Sequence, residues 1–91
     1  MYLKAITYVS LAQLQPTLSY KKHQHQDHEE LYYIINRKGK IRIGEEERQI
    51  RDGDIIYIPE RTEHTLTNNG EEMIEFLAFG GFMDRNSQEK N

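Results

Sequence analysis

Three histidines and two glutamates fall within eight residues, His23-Gln24-His25-Gln26-Asp27-His28-Glu29-Glu30. On an extended strand, positions i and i+2 share a face, so His23 and His25 point the same way, about 7 Å apart along the backbone. Two imidazoles so placed share one metal ion when further ligands arrive from elsewhere in the fold. Glu29 or Glu30 can be the third ligand. His64, the only other histidine in the chain, is the natural fourth. Three imidazoles and one carboxylate suit Mn, Fe, Ni, Co, Cu or Zn, and suit Ca and Mg poorly. An octahedral ion with four protein ligands keeps two positions for water, substrate or O₂. It can then act as a Lewis acid, activate water, or hold O₂ beside a chelating substrate.

The elements that must position these residues read as strands. Leu31-Tyr32-Tyr33-Ile34-Ile35 follows the cluster directly and is apolar and β-favouring. Ahead of it, Ile6 to Val9 reads as a short strand. Ser10 to Gln15 reads as a helical turn stopped by Pro16, and Thr17 to Lys22 leads into the histidines. Ile41-Arg42-Ile43 alternates as a half-buried strand does, and Glu47 to Arg51 returns around Ile50. Asp52-Gly53-Asp54 is a turn, and Ile55-Ile56-Tyr57-Ile58 is a strand closed by Pro59. His64 to Thr67 alternates around Leu66, Asn68-Asn69-Gly70 turns, and Met73 to Phe79 is the last strand, ended by Gly80-Gly81. About eight short strands with turns between them and no long helix predict an all-β, antiparallel barrel or sandwich. Tyr32, Tyr57 and Phe76 are expected in its core.

Ninety-one residues make one domain. The expected division is a barrel over 1–83 and a polar C-terminal tail over 84–91. The chain has no cysteine, which removes disulfides and thiolate ligands. A net charge of −3 argues against a nucleic-acid partner. No apolar run approaches the roughly 18 residues of a membrane span, and the N-terminus lacks the apolar core of a signal peptide, so the expected location is cytoplasmic. A chain this short has a modest core, and an open sheet edge near residues 2–9 invites pairing with a second copy, so a homodimer is expected.

The spacings are more specific than the composition. His23-x-His25-x4-Glu30 and Gly53-x5-Pro59-x4-His64-x3-Asn68 together resemble the two motifs of the cupin family, over residues 17–79. That resemblance implies a jelly-roll β-barrel and one divalent transition metal inside it. Carried over position by position, it implies His23, His25, Glu30 and His64 as ligands, with Glu29 the competitor of Glu30. Period two then sends Tyr32 and Ile34 inward with Glu30, Leu66 inward with His64, and Glu75 outward between Ile74 and Phe76. His28 lies outside the matched pattern and reads as a loop residue, and Arg61 reads as surface. Thr17, Arg37 and Arg61 stand where the family often has Gly, the residue suited to a left-handed backbone. Gly39 is expected to take over the turn from position 37.

Cupins include dioxygenases, isomerases, decarboxylases and proteins without a known reaction. The resemblance therefore implies either a metal-dependent enzyme, of dioxygenase or isomerase type, or a binding or sensor module. Both would act on a small organic molecule in the same pocket. In the enzyme reading Glu30 doubles as catalytic base.

Overall fold

The computed structural model describes residues 3–22 and 29–83. Eight strands follow in order: β1 Leu3–Leu14, β2 Ser19–Lys22, β3 Glu29–Asn36, β4 Gly39–Ile43, β5 Glu46–Ile50, β6 Ile55–Ile58, β7 His64–Thr67 and β8 Ile74–Met83. They form two four-stranded antiparallel sheets, β1-β8-β3-β6 and β2-β7-β4-β5. The two sheets close over one core made of Tyr32, Ile34, Ile41, Ile58, Leu66, Ile74, Phe76 and their neighbours. The turn spacing predicts such an all-β antiparallel fold, and the cupin resemblance implies its jelly-roll form. Among the described residues there is no helix, hence none long and apolar enough to cross a membrane. The tail assigned to 84–91 lies outside the described residues.

Alternation is clean where the sequence shows it. Tyr32 and Ile34 are buried between exposed Tyr33 and Ile35, and His64 and Leu66 are buried between half-buried Thr65 and Thr67. Four expectations are corrected. Ser10 to Leu14 is not a helical turn; it continues β1, because its whole length pairs with β8, from Ser10↔Ala78 to Leu14↔Ile74. Long-range pairing here overrides local propensity. Gly80-Gly81 does not end β8, which runs on to Met83. Tyr57 is half-buried on the outer side, while Ile56 and Ile58 face the core. Gly39 does not replace position 37: Arg37 itself takes the left-handed backbone, φ 73°, as do Thr17 at 70° and Arg61 at 57°.

Those three residues are the ones standing where the cupin pattern often has Gly, so the turns keep their shape and a side chain is carried at a cost. A left-handed non-Gly residue costs about 1–2 kcal/mol, and Gly gives back about 0.5–1 kcal/mol in chain entropy. Arg61→Gly is therefore expected to raise stability by about 0.5 kcal/mol or slightly more, read as an increase in the urea midpoint.

Gly39 has a different role, close approach. A Cβ there would lie 2.7 Å from the carbonyl oxygen of Thr67 and 2.7 Å from Cδ1 of Ile74. Since one of these is backbone, Gly39→Ala is expected to destabilise the barrel by about 1–3 kcal/mol. An unchanged urea midpoint would show that β4 and β7 can separate to admit a methyl group.

Candidate metal centre

Two residues of the expected ligand set meet in the barrel interior. Glu30, second residue of β3, pairs with Ile58 of β6 and Gly80 of β8. His64 opens β7, beside Ile43 of β4 and Lys22 of β2. The sheets bring the side chains face to face, with His64 Nε2 3.2 Å from Glu30 Oε1 and exposures of only 0% and 2%. Glu29 is also buried, but it neighbours Glu30 in β3 and so falls on the other face of the strand. Among the described residues no three His, Cys, Asp or Glu side chains converge. His23, His25 and His28 lie outside the described residues. The chain enters that segment from Lys22, opposite His64, and leaves it at Glu29, next to Glu30.

The orientation of the imidazole follows from its partners. His64 Nδ1 lies 3.0 Å from the Thr62 carbonyl oxygen, which only accepts, so Nδ1–H donates. In the neutral ring Nε2 then carries the lone pair. That lone pair faces a carboxylate oxygen in a site closed to water. A metal ion between the two acceptors would satisfy both, as would a shared proton or a hydrogen bond donated to Nε2 by the Tyr32 hydroxyl, 3.2 Å away. Two ligand atoms at right angles on an ion with bonds of ~2.1 Å stand about 3.0 Å apart, so the observed pair has the spacing of neighbouring ligands.

Two tyrosines complete the surroundings. The Tyr32 hydroxyl is 3.2 Å from His64 Nε2, and its ring stands edge-on to the imidazole and against Phe76. Tyr8, on β1, donates its hydroxyl to Glu30 Oε2. The two oxygens of Glu30 are thereby divided, one toward Tyr8 and one toward His64. Burial, reinforced by the nearby Glu30 carboxylate, pushes both phenols well above their ordinary range, so they remain proton donors. Tyr8 rests on Gly80, where any Cβ would overlap its ring. Sequence reasoning placed Tyr8 in a strand without a role. The available signal was its inward face, Tyr8-x-Ser10-x-Ala12-x-Leu14, on which it is the one large polar-tipped residue.

A cavity of about 300 Å³ opens beside Glu30, walled by Tyr8, Ala12, Leu14, Tyr20 and Phe76 among others. Its walls are mostly apolar, and among the described residues Glu30 is the one carboxylate in them. A larger groove of about 810 Å³ runs along Arg37, Arg51, Asn69 and Glu72, at the far end of β3, and holds none of the candidate ligands. Arg61 stands exposed in the loop before β7.

The Cupin domain profile matches residues 10–80. The chain belongs to the cupin family. It is 36% identical over 56 residues to an uncharacterised protein of Methanocaldococcus jannaschii, an alignment covering 62% of this chain and 45% of that one. It is 31% identical over 65 residues to an oxalate-binding protein of Thermotoga maritima, covering 71% and 54%. This cupin thus spans about half the length of the curated relatives it matches. Among solved structures, a predicted oxalate decarboxylase of Thermotoga maritima superposes with a TM-score of 0.78 at 25% identity, over 86% of this chain and 68% of that one. The solved fold of that protein agrees with the two-sheet barrel described above.

Proposed function

We propose that this cupin holds one divalent transition metal on Glu30 and His64, with His23 and His25 as the remaining ligands, and binds a small organic acid beside it. The observation that carries the proposal is the buried pair itself, a lone-pair nitrogen and a carboxylate oxygen 3.2 Å apart, in a fold whose sequence adds His-x-His at the adjoining segment. When bound, the metal would supply a Lewis-acid centre for the oxygens of the ligand. The chain does the rest. Thr62 orients the imidazole, Tyr8 holds one oxygen of Glu30 away from the pair, and the apolar walls around Tyr20 and Phe76 exclude water. The cavity volume suits a ligand of a few heavy atoms, and the oxalate-binding relative supports a dicarboxylate of that size.

In the enzymatic reading, of dioxygenase, decarboxylase or isomerase type, Glu30 accepts a proton as well as ligating. The second reading is a non-catalytic binding module. It is supported by the engagement of both Glu30 oxygens, because among the described residues no second carboxylate lines the cavity to serve as base.

The test is metal analysis of reconstituted protein, then calorimetric titration with oxalate, then measurement of CO₂ release and O₂ uptake. The proposal expects one metal per chain and oxalate binding only in the metal-loaded form. Sub-stoichiometric metal after reconstitution would overturn it. Tyr8→Phe is expected to weaken metal affinity about 10–100-fold, as loss of a hydrogen bond to a ligating carboxylate does. Competition against a chelator measures this, and an unchanged affinity would remove Tyr8 from the site.

A further inference from the structure

The cavity beside Glu30 has two unlike ends. The inward row of β1 reads Tyr8, Ser10, Ala12 and Leu14, and the β8 residues paired with them are Gly80, Ala78, Phe76 and Ile74. At the near end stand Glu30 and the Tyr8 hydroxyl that donates to it. At the far end stand Leu14 and Phe76, both buried. Between the two ends the wall carries small side chains, Ser10, Ala12 and Ala78. Elsewhere the core is filled by residues the size of Tyr32, Ile34 and Leu66. Three small residues in one inward patch therefore leave the hollow. Glu30 pairs with Gly80, and Phe76 lies further along β8 by about 14 Å of strand rise. The cavity lies between β1 and β2, edge strands of the two sheets. Tyr20 is 40% exposed there and Ser10 is exposed, so the cavity opens to solvent on that side.

The far end offers no counter-charge. Among the described residues no Lys, Arg or His lines the cavity, and Gln13 Nε2 already donates to Glu75 at 3.0 Å. A second carboxylate set against Leu14 and Phe76 would lose water and gain no partner. The near end favours a single negative charge. Three neutral imidazoles and one carboxylate leave a divalent ion one net positive charge, which a monoanion cancels and a dianion reverses. The volume also exceeds what a compact dicarboxylate displaces, since about 300 Å³ holds about ten waters at ~30 Å³ each.

We infer, resting on the metal reading above, that the ligand of this cavity is an α-keto acid with an apolar side chain. Its carboxylate and keto oxygens, on adjacent carbons, repeat the oxygen pair of oxalate at the Glu30 end. Its side chain runs past Ala12 and Ala78 toward Leu14 and Phe76. Ala12 and Ala78 are thereby the residues that set the length of side chain admitted.

Calorimetric titration of the metal-loaded protein with oxalate, pyruvate, α-ketoisocaproate and α-ketoglutarate tests this. Each buried methylene is worth about fourfold in affinity, so the isobutyl group of α-ketoisocaproate is expected to bind about 10-fold or more tightly than the methyl group of pyruvate. α-Ketoglutarate, which ends in a carboxylate instead, is expected to bind about 10-fold or more weakly than α-ketoisocaproate. Ala12→Leu and Ala78→Val fill the hollow. Each is expected to remove most of the gain over pyruvate while leaving the affinities for pyruvate and oxalate unchanged. A protein that takes up no metal, or binds none of the four acids when loaded, would overturn the metal reading and this inference with it. Binding of oxalate and pyruvate without a gain for α-ketoisocaproate would overturn this inference alone. So would α-ketoglutarate bound as tightly as α-ketoisocaproate, a gain that survives both substitutions, or loss of pyruvate together with α-ketoisocaproate in both variants.

Discussion

His64→Ala is expected to lower the affinity for a divalent transition metal by about 100-fold or more, and Glu29→Gln to leave it nearly unchanged. His64 is the candidate ligand that the second motif brings to the ion, from the sheet opposite β3 and Glu30. A structural site of four ligands is worth about 10–16 kcal/mol, so one ligand is worth roughly 3 kcal/mol or somewhat more. Glu29 is the sharper control because it is as buried as Glu30, 2% exposed, and adjacent to it in sequence. Only the face of β3 distinguishes them. Chelator competition on Glu29→Gln, Glu30→Gln and His64→Ala reads the result directly. Equal losses in the two glutamate variants would mean that both reach the ion and that the assignment by strand face is wrong.

Asn68→Ala is expected to cost about 2–4 kcal/mol of stability and to do so without touching Glu30 or His64. Asn68 is fully buried. Its Nδ2 donates to the carbonyls of Leu14 and Glu72, both at 2.8 Å, and its Oδ1 accepts from the Gly70 amide at 3.0 Å. Its backbone exchanges two more bonds with the β1–β2 connection, Thr17 N to Asn68 O and Asn68 N to Leu18 O, both 3.0 Å. One side chain thus joins the end of β1, the β7–β8 turn and the approach to β8. Removing it strands one buried and two part-buried backbone groups, a buried one costing about 1–3 kcal/mol when left unpaired. The urea midpoint measures the loss. A change below about 1 kcal/mol would mean that water replaces the amide, which at full burial needs the turn to open. The motif reading of the sequence placed Asn68 without a role, and the hydrogen bonds supply one.

Much of this molecule is written in local pattern. Alternation around Tyr32, Leu66 and Phe76 marks which residues of each strand face inward, because a strand's two faces repeat every second residue whatever the strand pairs with. The spacing of the histidines, Glu30 and His64 resembles the cupin motifs, and that resemblance implies a ligand set in which Glu29 competes with Glu30. Which strands lie together is a different matter, because pairing joins residues far apart in the chain. The β1–β8 register extends β1 through Leu14, where local propensity read a helical turn. It also carries Tyr8 across Gly80 to Glu30, a contact between residues 22 positions apart. The motif resemblance already favours Glu30 over Glu29; the opposite sheet adds that His64 stands against Glu30. The cavity beside Glu30 exists only once β1 and β8, from the two ends of the chain, are set in register. Period two assigns a residue to a side of its own strand; only the sheet order determines what that side meets.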